Sequence, residues 1–282
     1  MVYPLILFLS FFFSNGGEKK ISHFGTFELA AAISVDNAGN IFVLDKVKNS
    51  FQKFSIHGDS LGEFGSIGWG NLQFDSPRDI WVKNSLDIFV ADYNNHRIQR
   101  FNRKLNYIAT LFTRDDESSI TRFGYPTSVA TNSKGELFVC DGENKRIIKF
   151  SSFEKAEIAF GGFDAGKGKL RSPIQIEIDS ADRIFVLENN RILSFDAFGN
   201  YLRTFGEDIL NNATGFTVYG DDILVANRNE LALFSLDGDV LGTFPLSNLL
   251  PDESADEEVI DIAVWKNTMY LLTPHSVNIV NP

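Results

Sequence analysis

The sequence is poor in the residues that build disulfides and zinc sites. Its single cysteine, Cys140, excludes an intrachain disulfide and a cysteine-rich zinc site. The apolar run around it, residues 137–141, favours a small buried side chain over a nucleophile. The chain has only four histidines, which are His23, His57, His96 and His275. They are scattered, so we expect neither a Cys–His pair nor three histidines converging on zinc.

Basic residues are outnumbered. The chain carries 26 Lys and Arg against 37 Asp and Glu, for a formal net charge of −11 and a pI near 4.9. An acidic surface repels phosphate backbones, which disfavours sequence-independent binding to nucleic acid. No cluster of Lys and Arg stands out along the sequence. Nucleic acid is therefore the least favoured partner.

Long apolar runs are missing except at the amino terminus, where residues 2–13 read VYPLILFLSFFF. This run is too short to cross a hydrocarbon core of ~30 Å comfortably. Its length suits the core of a secretory signal peptide, although no basic residue precedes it. We predict a signal-peptide-like segment over 1–17 and an extracytoplasmic protein (periplasmic, secreted or membrane-tethered). The alternatives are a truncated gene start and a short uncleaved anchor, the one route to membrane contact.

What the sequence has is a repeat of short apolar strands, with 27 phenylalanines and 22 glycines. Its clearest copy is Ser76 to Phe101, and the apolar triplet Ile88–Val90 recurs through the chain. The triplets begin at 41, 88, 137, 184, 223 and 269, so the spacings are 47, 49, 47, 39 and 46. A near-constant period of this size, filled with short strands and Gly, Asn and Asp turns, is typical of propeller blades.

The last copy of the repeat ends after its third strand, near Pro282. Residues Ile21 to Gly25 read like a fourth strand with its terminal Phe-Gly pair. We therefore predict that residues 20–25 pair as the outer strand of the blade formed by 259–282, which protects both edges. The sequence predicts an all-β fold: one six-bladed β-propeller of four-stranded antiparallel blades over 18–282, closed by its N-terminal strand.

The second copy resembles an NHL repeat, with Ser76-Pro77, Ile88-Phe89-Val90-Ala91-Asp92, Asn95-His96-Arg97-Ile98 and Phe101. The third copy keeps much of the pattern, and the fifth and sixth depart from it. The resemblance covers residues 21–282 and is specific for fold. It implies a protein- or RNA-binding platform, a sensor domain of a membrane kinase, or a peptide-amidating lyase. The scattered histidines count against the lyase.

Acidic residues follow the second strands at equivalent places on one face of the predicted ring. An arginine lies a few residues later in several copies. We interpret these residues as a structural lock, in which the acid caps the turn and pairs with the arginine. A cation-binding rim is the alternative. The lock residues are Asp45, Asp92, Asn95, Arg97, Asp141, Arg146, Glu188 and Arg191.

Mixed polar residues begin the innermost strands, beside the predicted channel mouth. They vary between blades, unlike the lock residues, and loop-bearing rims of this kind often bind ligands. An ordinary solvated rim is the alternative. These candidate binding residues are Arg78, Asp79, Thr127, Ser128, Gln175 and Asp261.

Two further segments resemble ligand sites without matching them. Residues 161–168 nearly fit a P-loop, but Gly168 stands where a Mg²⁺-binding Ser or Thr is needed. Residues 251–258 hold five acids without the spacing of an EF-hand. We predict no cofactor, with Ca²⁺ or another divalent cation as the alternative.

Together these patterns predict a monomeric, non-catalytic platform that binds a protein or peptide on one face of the ring. An enzyme at the channel mouth, such as a lyase or lactonase-like hydrolase with a divalent cation, is the alternative. RNA binding is third, because of the net charge.

Overall fold

The computed structural model describes residues 21–83, 86–251 and 257–281. Six four-stranded antiparallel sheets are arranged as the blades of a propeller, which confirms the predicted fold. Two short 3₁₀ helices, Gly166–Gly168 and Leu246–Asn248, lie between blades. No helix in these ranges is both long and apolar enough to span a bilayer. The signal-peptide-like segment predicted over 1–17 lies outside the described residues.

The strands are numbered along the chain, beginning with β1 (Ile21–Phe24). Blade 1 contains β2 (Ala30–Val35), β3 (Ile41–Asp45), β4 (Ser50–Phe54) and β5 (Ser60–Phe64). A short parallel pair follows, β6 (Ser66–Ile67) with β7 (Gln73–Phe74). Blade 2 contains β8 (Asp79–Trp81), β9 (Asp87–Asp92), β10 (Arg97–Asn102) and β11 (Tyr107–Phe112). Blade 3 contains β12 (Pro126–Thr131), β13 (Leu137–Asp141), β14 (Arg146–Ser152) and β15 (Lys155–Phe160).

The second half of the chain repeats this order. Blade 4 contains β16 (Gln175–Ile178), β17 (Ile184–Glu188), β18 (Arg191–Phe195) and β19 (Tyr201–Phe205). Blade 5 contains β20 (Ala213–Tyr219), β21 (Asp222–Asn227), β22 (Glu230–Ser235) and β23 (Val240–Pro245). Blade 6 contains β24 (Asp261–Trp265), β25 (Thr268–Leu272) and β26 (Val277–Val280). The first strand of each blade contacts the first strand of the next, so these strands surround the central channel.

The amino-terminal strand completes blade 6, as predicted. Strand β1 pairs antiparallel with β26, with Phe24 opposite Val277. The Phe24 ring also packs edge-on against Phe54 of blade 1, with centroids 4.9 Å apart. The first strand of the described chain therefore joins the last blade to the first one, which covers the edge of β26.

Aromatic side chains fill the spaces between blades. Phe101 and Phe150, at equivalent places in the third strands, are fully buried. Each contacts a buried phenylalanine from the connection that enters its own blade: Phe74 for Phe101 and Phe123 for Phe150, both with centroids 6.3 Å apart. Burial of one such side chain contributes about 1.5–3 kcal/mol. The repeated phenylalanines therefore attach each connection to the blade that follows it.

One buried residue in blade 6 has an unusual side chain for its place. Asn278 is fully buried in β26, and within the described residues neither its amide nitrogen nor its oxygen has a hydrogen-bond partner. Strand pairing makes it equivalent to Leu193 of blade 4 and Gln99 of blade 2. Gln99 instead donates to the carbonyl of Gln73 at 2.6 Å.

We expect the substitution Asn278→Leu to stabilise the protein by about 1–3 kcal/mol, because it removes a buried amide that forms no hydrogen bond. The matched variant Leu193→Asn should destabilise the protein, since it introduces the same defect in blade 4. Urea unfolding of both variants measures these changes. A loss of stability in Asn278→Leu would show that the amide has a partner.

Candidate functional site at the channel mouth

The acids that follow the second strands are buried, and they bind more than their own turns. Asp92 accepts hydrogen bonds from Asn95 Nδ2 at 2.9 Å and Arg97 Nε at 2.7 Å, both within the turn. It also accepts one from the backbone N–H of Asp75, at 2.8 Å, in the connection that enters blade 2. Asp45 has no arginine and accepts four backbone N–H groups, those of Glu28, Leu29, Val47 and Lys48.

The arginines extend the same network toward the connections. Arg97 donates to the carbonyls of Trp69, Gly70 and Gln73 at 2.6–3.1 Å. Arg146 pairs with Asp141 at 3.0 Å and also donates to the carbonyls of Ser119 and Arg122. Arg191 pairs with Glu188 at 2.6 Å and donates to the carbonyl of Lys169. The predicted lock residues therefore join three segments: the turn, the arginine and the incoming connection.

At the channel mouth, polar side chains connect each inner strand to the next. Asp79 accepts hydrogen bonds from Ser128 Oγ at 2.5 Å and Val129 N at 3.0 Å, which joins blade 2 to blade 3. Asp261 accepts from Ile33 N at 2.9 Å, which joins blade 6 to blade 1. The remaining links are Val82 N to Ser34 Oγ, Ile176 N to Ser128 Oγ, Phe216 N to Gln175 Oε1 and Thr214 Oγ1 to Val259 O.

This ring of hydrogen bonds changes the interpretation of the predicted rim residues. Asp79, Ser128 and Asp261 are buried and bind neighbouring blades, whereas Arg78 is exposed. A cavity of about 40 Å³ at the mouth is lined by five of the six predicted residues, with Ser128 outside it. A cavity of about 10–15 Å³ is enough to hold one water molecule. The cavity at the mouth can therefore hold a few water molecules.

The channel holds three buried carboxyl groups. Burial raises the pKa of Asp79, and it raises the pKa of Asp261 well above its usual value, with a further rise from the Asp79 charge. Burial also raises the pKa of Glu177, although Lys83 opposes this shift. Lys83 Nζ lies 2.9 Å from Glu177 Oε2 and donates to the carbonyl of Val218 at 2.6 Å. Lys83 thereby connects blade 2 with blades 4 and 5 across the channel.

Beside the mouth, two tyrosines form a partly exposed aromatic shelf. The rings of Tyr93 and Tyr125 lie 5.1 Å apart, and the Arg78 guanidinium lies 4.6 Å from the Tyr93 centroid. His96 packs edge-on against Tyr125 at 4.2 Å and accepts a hydrogen bond from Tyr125 N through Nδ1. Tyr125 is 36% exposed. The sequence did not lead us to predict this shelf, although its two tyrosines lie outside the strands, in a turn and in a connection, where binding residues are often found.

Metal ligands do not gather in the described part of the chain. Across residues 21–83, 86–251 and 257–281, no group of three or more His, Cys, Asp or Glu side chains is arranged to hold a metal ion. Most of the acidic segment predicted over 251–258 as a possible Ca²⁺ site, residues 252–256, lies outside the described residues.

Comparison with known proteins agrees with this architecture. A family model of the NHL repeat matches residues 74–101 and 123–150, within blades 2 and 3. A probable peptidyl-α-hydroxyglycine α-amidating lyase from Caenorhabditis elegans is 32% identical over 48% of this chain and 41% of its own length. Protein brain tumor from Drosophila melanogaster is 30% identical over 51% of this chain and 14% of its own. The matches thus span less than half of these relatives.

Solved structures show the same fold at low sequence identity. A catalytically inactive virginiamycin B lyase from Staphylococcus aureus, solved with quinupristin, superposes with a TM-score of 0.69 at 12% identity. The alignment covers 94% of this chain and all of the lyase chain. A chain of a nidogen/laminin complex aligns with a TM-score of 0.59 at 16% identity, over 77% of this chain and 80% of its own. The molecule is therefore a six-bladed β-propeller. It carries NHL repeats in blades 2 and 3.

We expect removal of an arginine from the lock to lower the free energy of unfolding substantially. Arg97→Gln should destabilise the protein by about 3–5 kcal/mol, because it leaves the buried Asp92 carboxylate without its cation. Arg146→Gln should lower the stability by a smaller amount, because the Arg146 side chain is more exposed to solvent, at 16% compared with 4% for Arg97. Urea unfolding of the two variants compares these costs. Equal, small losses would mean that the arginines contribute little.

The buried Asp261 predicts a specific pH dependence. Its raised pKa means that the folded protein binds this proton at a higher pH than the unfolded chain does. As pH falls from neutral to about 4, the wild type should gain stability relative to Asp261→Asn, which cannot bind the proton.

Denaturant unfolding across that pH range measures the difference in free energy. Asp196→Asn is the control of opposite sign. Although partial burial opposes the shift, hydrogen bonds from Asn200 and from backbone N–H groups lower the pKa of Asp196. The wild type should therefore lose stability relative to that variant as pH falls. A pH-independent difference for Asp261→Asn would contradict the prediction.

Proposed function

We propose that the protein is a monomeric, non-catalytic binding platform that presents the channel-mouth face of its ring to a protein or peptide outside the cytoplasm. The observation that carries this proposal is the aromatic shelf of Tyr93 and Tyr125 with Arg78 beside it. Tyrosine, tryptophan and arginine are enriched among the residues that dominate binding energy in protein interfaces. The same face also exposes Trp69, at 55%, farther from the channel.

The shelf rests on a rigid base, which supports a binding role. Tyr93 follows Asp92 directly, and Asp92 is fixed by three hydrogen bonds. Tyr125 follows Gly124, whose N–H donates to the buried Asp141 at 3.2 Å. Side chains held in place before binding lose less conformational entropy when a partner docks. The lock that builds each blade therefore also orders the residues available for contact.

An enzyme acting at the same mouth is the second candidate, favoured by the likeness to lyases. A lyase or lactonase-like hydrolase with a divalent cation would need carboxylates such as Asp79 and Asp261 as ligands. Here Asp79 accepts hydrogen bonds from Ser128 and Val129, and Asp261 accepts them from Ile33 and Gln175. A cation would have to compete with these inter-blade bonds. The donor set fits a structural role better than a metal centre.

The platform proposal is tested by affinity capture from the native envelope fraction, with captured proteins identified and then purified for direct binding. The double variant Tyr93→Ala/Tyr125→Ala should weaken partner binding at least tenfold. Phe198→Ala is the control, because Phe198 is 74% exposed in the turn before β19, on the opposite face.

Two results would overturn the proposal. One is a partner that binds the tyrosine double variant as well as the wild type. The other is a stoichiometric, tightly bound divalent cation in the purified protein that is lost in Asp79→Asn or Asp261→Asn, which would favour the enzyme. Elemental analysis of the wild type and these two variants decides this point.

A further inference from the structure

Two cations from neighbouring blades, Lys46 and Arg78, have no carboxylate partner among the described residues. Lys46 is in the turn after β3 of blade 1, and Arg78 immediately precedes β8 of blade 2. Their segments are held together by a hydrogen bond from Ser76 N to Asn49 Oδ1, at 2.7 Å. Among the described residues, neither side chain forms an ion pair with an Asp or a Glu.

Three acids at the ends of the adjoining strands are already bound elsewhere. Asp45 accepts four backbone N–H groups, Asp79 accepts hydrogen bonds from Ser128 and Val129, and Asp92 is paired with Arg97. Partial burial and the nearby Arg78 charge lower the pKa of Lys46 below its usual value. An anion placed between two such cations would relieve their repulsion.

We propose that Lys46 and Arg78 form an anion subsite that binds an acidic side chain of a peptide partner. A neighbouring side chain of that peptide packs on the shelf of Tyr93 and Tyr125. This inference rests on the proposed function and names the partner's chemistry. A guanidinium beside an ammonium suits a single carboxylate, which the arginine fork binds in two-point fashion.

The net charge of the whole molecule favours a short acidic peptide over a nucleic acid. The turns and connections of this face expose basic residues such as Lys145, Arg171 and Arg228, and they also expose acids such as Glu143, Asp208 and Glu230. A short peptide can be confined to the subsite of Lys46 and Arg78. A long polyanion also extends over the rest of a chain whose formal charge is −11, where it is repelled.

The test is an array of short synthetic peptides in which each acidic, aromatic-containing peptide is printed beside a copy with Glu→Gln and Asp→Asn changes. Fluorescence anisotropy then measures affinity for the peptides that bind. We expect the acidic copies to bind at least tenfold more tightly, with a strong dependence on salt. Lys46→Gln/Arg78→Gln should remove that preference while leaving the melting temperature close to that of the wild type.

A matched control separates local from global charge. The double variant Lys134→Gln/Lys266→Gln removes the same charge from exposed turns on the opposite face and should leave affinity within about twofold. Equal binding of acidic and amide peptides, or full binding by Lys46→Gln/Arg78→Gln, would overturn the subsite. Polyuridylic acid that binds this face in place of the peptides would overturn it as well.

The outcomes also distinguish this inference from the function on which it rests. Charge-independent peptide binding that is lost in Tyr93→Ala/Tyr125→Ala would overturn the anion subsite and keep the platform. Peptide binding unaffected by the tyrosine changes would count against both.

Discussion

A buried polar group must find hydrogen-bond partners, and this requirement organises the junctions that enter blades 1 to 5. In blades 1 to 4 the group is an acid at the end of the second strand, and it binds both its turn and the connection from the previous blade. In blade 5, Asn227 has the same role, accepting from Asn211 N at 2.7 Å and donating to Ile209 O at 3.1 Å. In blade 6, Thr273 bonds within its own turn to Ser276. Among the described residues, the lock is thus weakest at the junction between blades 5 and 6.

At the channel mouth, a second set of buried polar residues also forms hydrogen bonds between blades. Asp79, Ser128, Gln175 and Asp261 occupy equivalent places in their strands, opposite the residue that precedes each lock group. Ala32 and Gly215 complete the series. The four polar side chains bind backbone groups of neighbouring blades, which leaves the narrow mouth little free hydrogen-bonding capacity. The groups available to a partner lie one step outward, in the turns and connections.

This division explains which predictions from the sequence succeeded. Blade number, strand order and closure by the N-terminal strand were predicted because the apolar period and the turn residues are local signals, repeated often enough to reinforce one another. The pairing of Asp92 with Arg97 was also predicted, since both residues belong to one turn. The hydrogen bonds from Arg97 to the connection that enters blade 2 were not predicted. They join two segments that are separated along the chain by strands β8 and β9.

The sequence does not predict where charged side chains lie in the folded protein. A formal charge of −11 describes the average over the chain, and it correctly describes a protein in which acids predominate. It contains no information about where the cations gather. Lys46 and Arg78 belong to different blades, as do Tyr93 and Tyr125, and only the circular arrangement of the blades makes them neighbours.

The propeller could be predicted from the amino-acid sequence alone, because hydrophobic spacing and turn chemistry act between residues close in the chain. Which polar residues hold the ring together and which remain exposed became clear only from the folded molecule. Hydrogen bonding and electrostatic interaction depend on distance in space, and ring closure sets those distances.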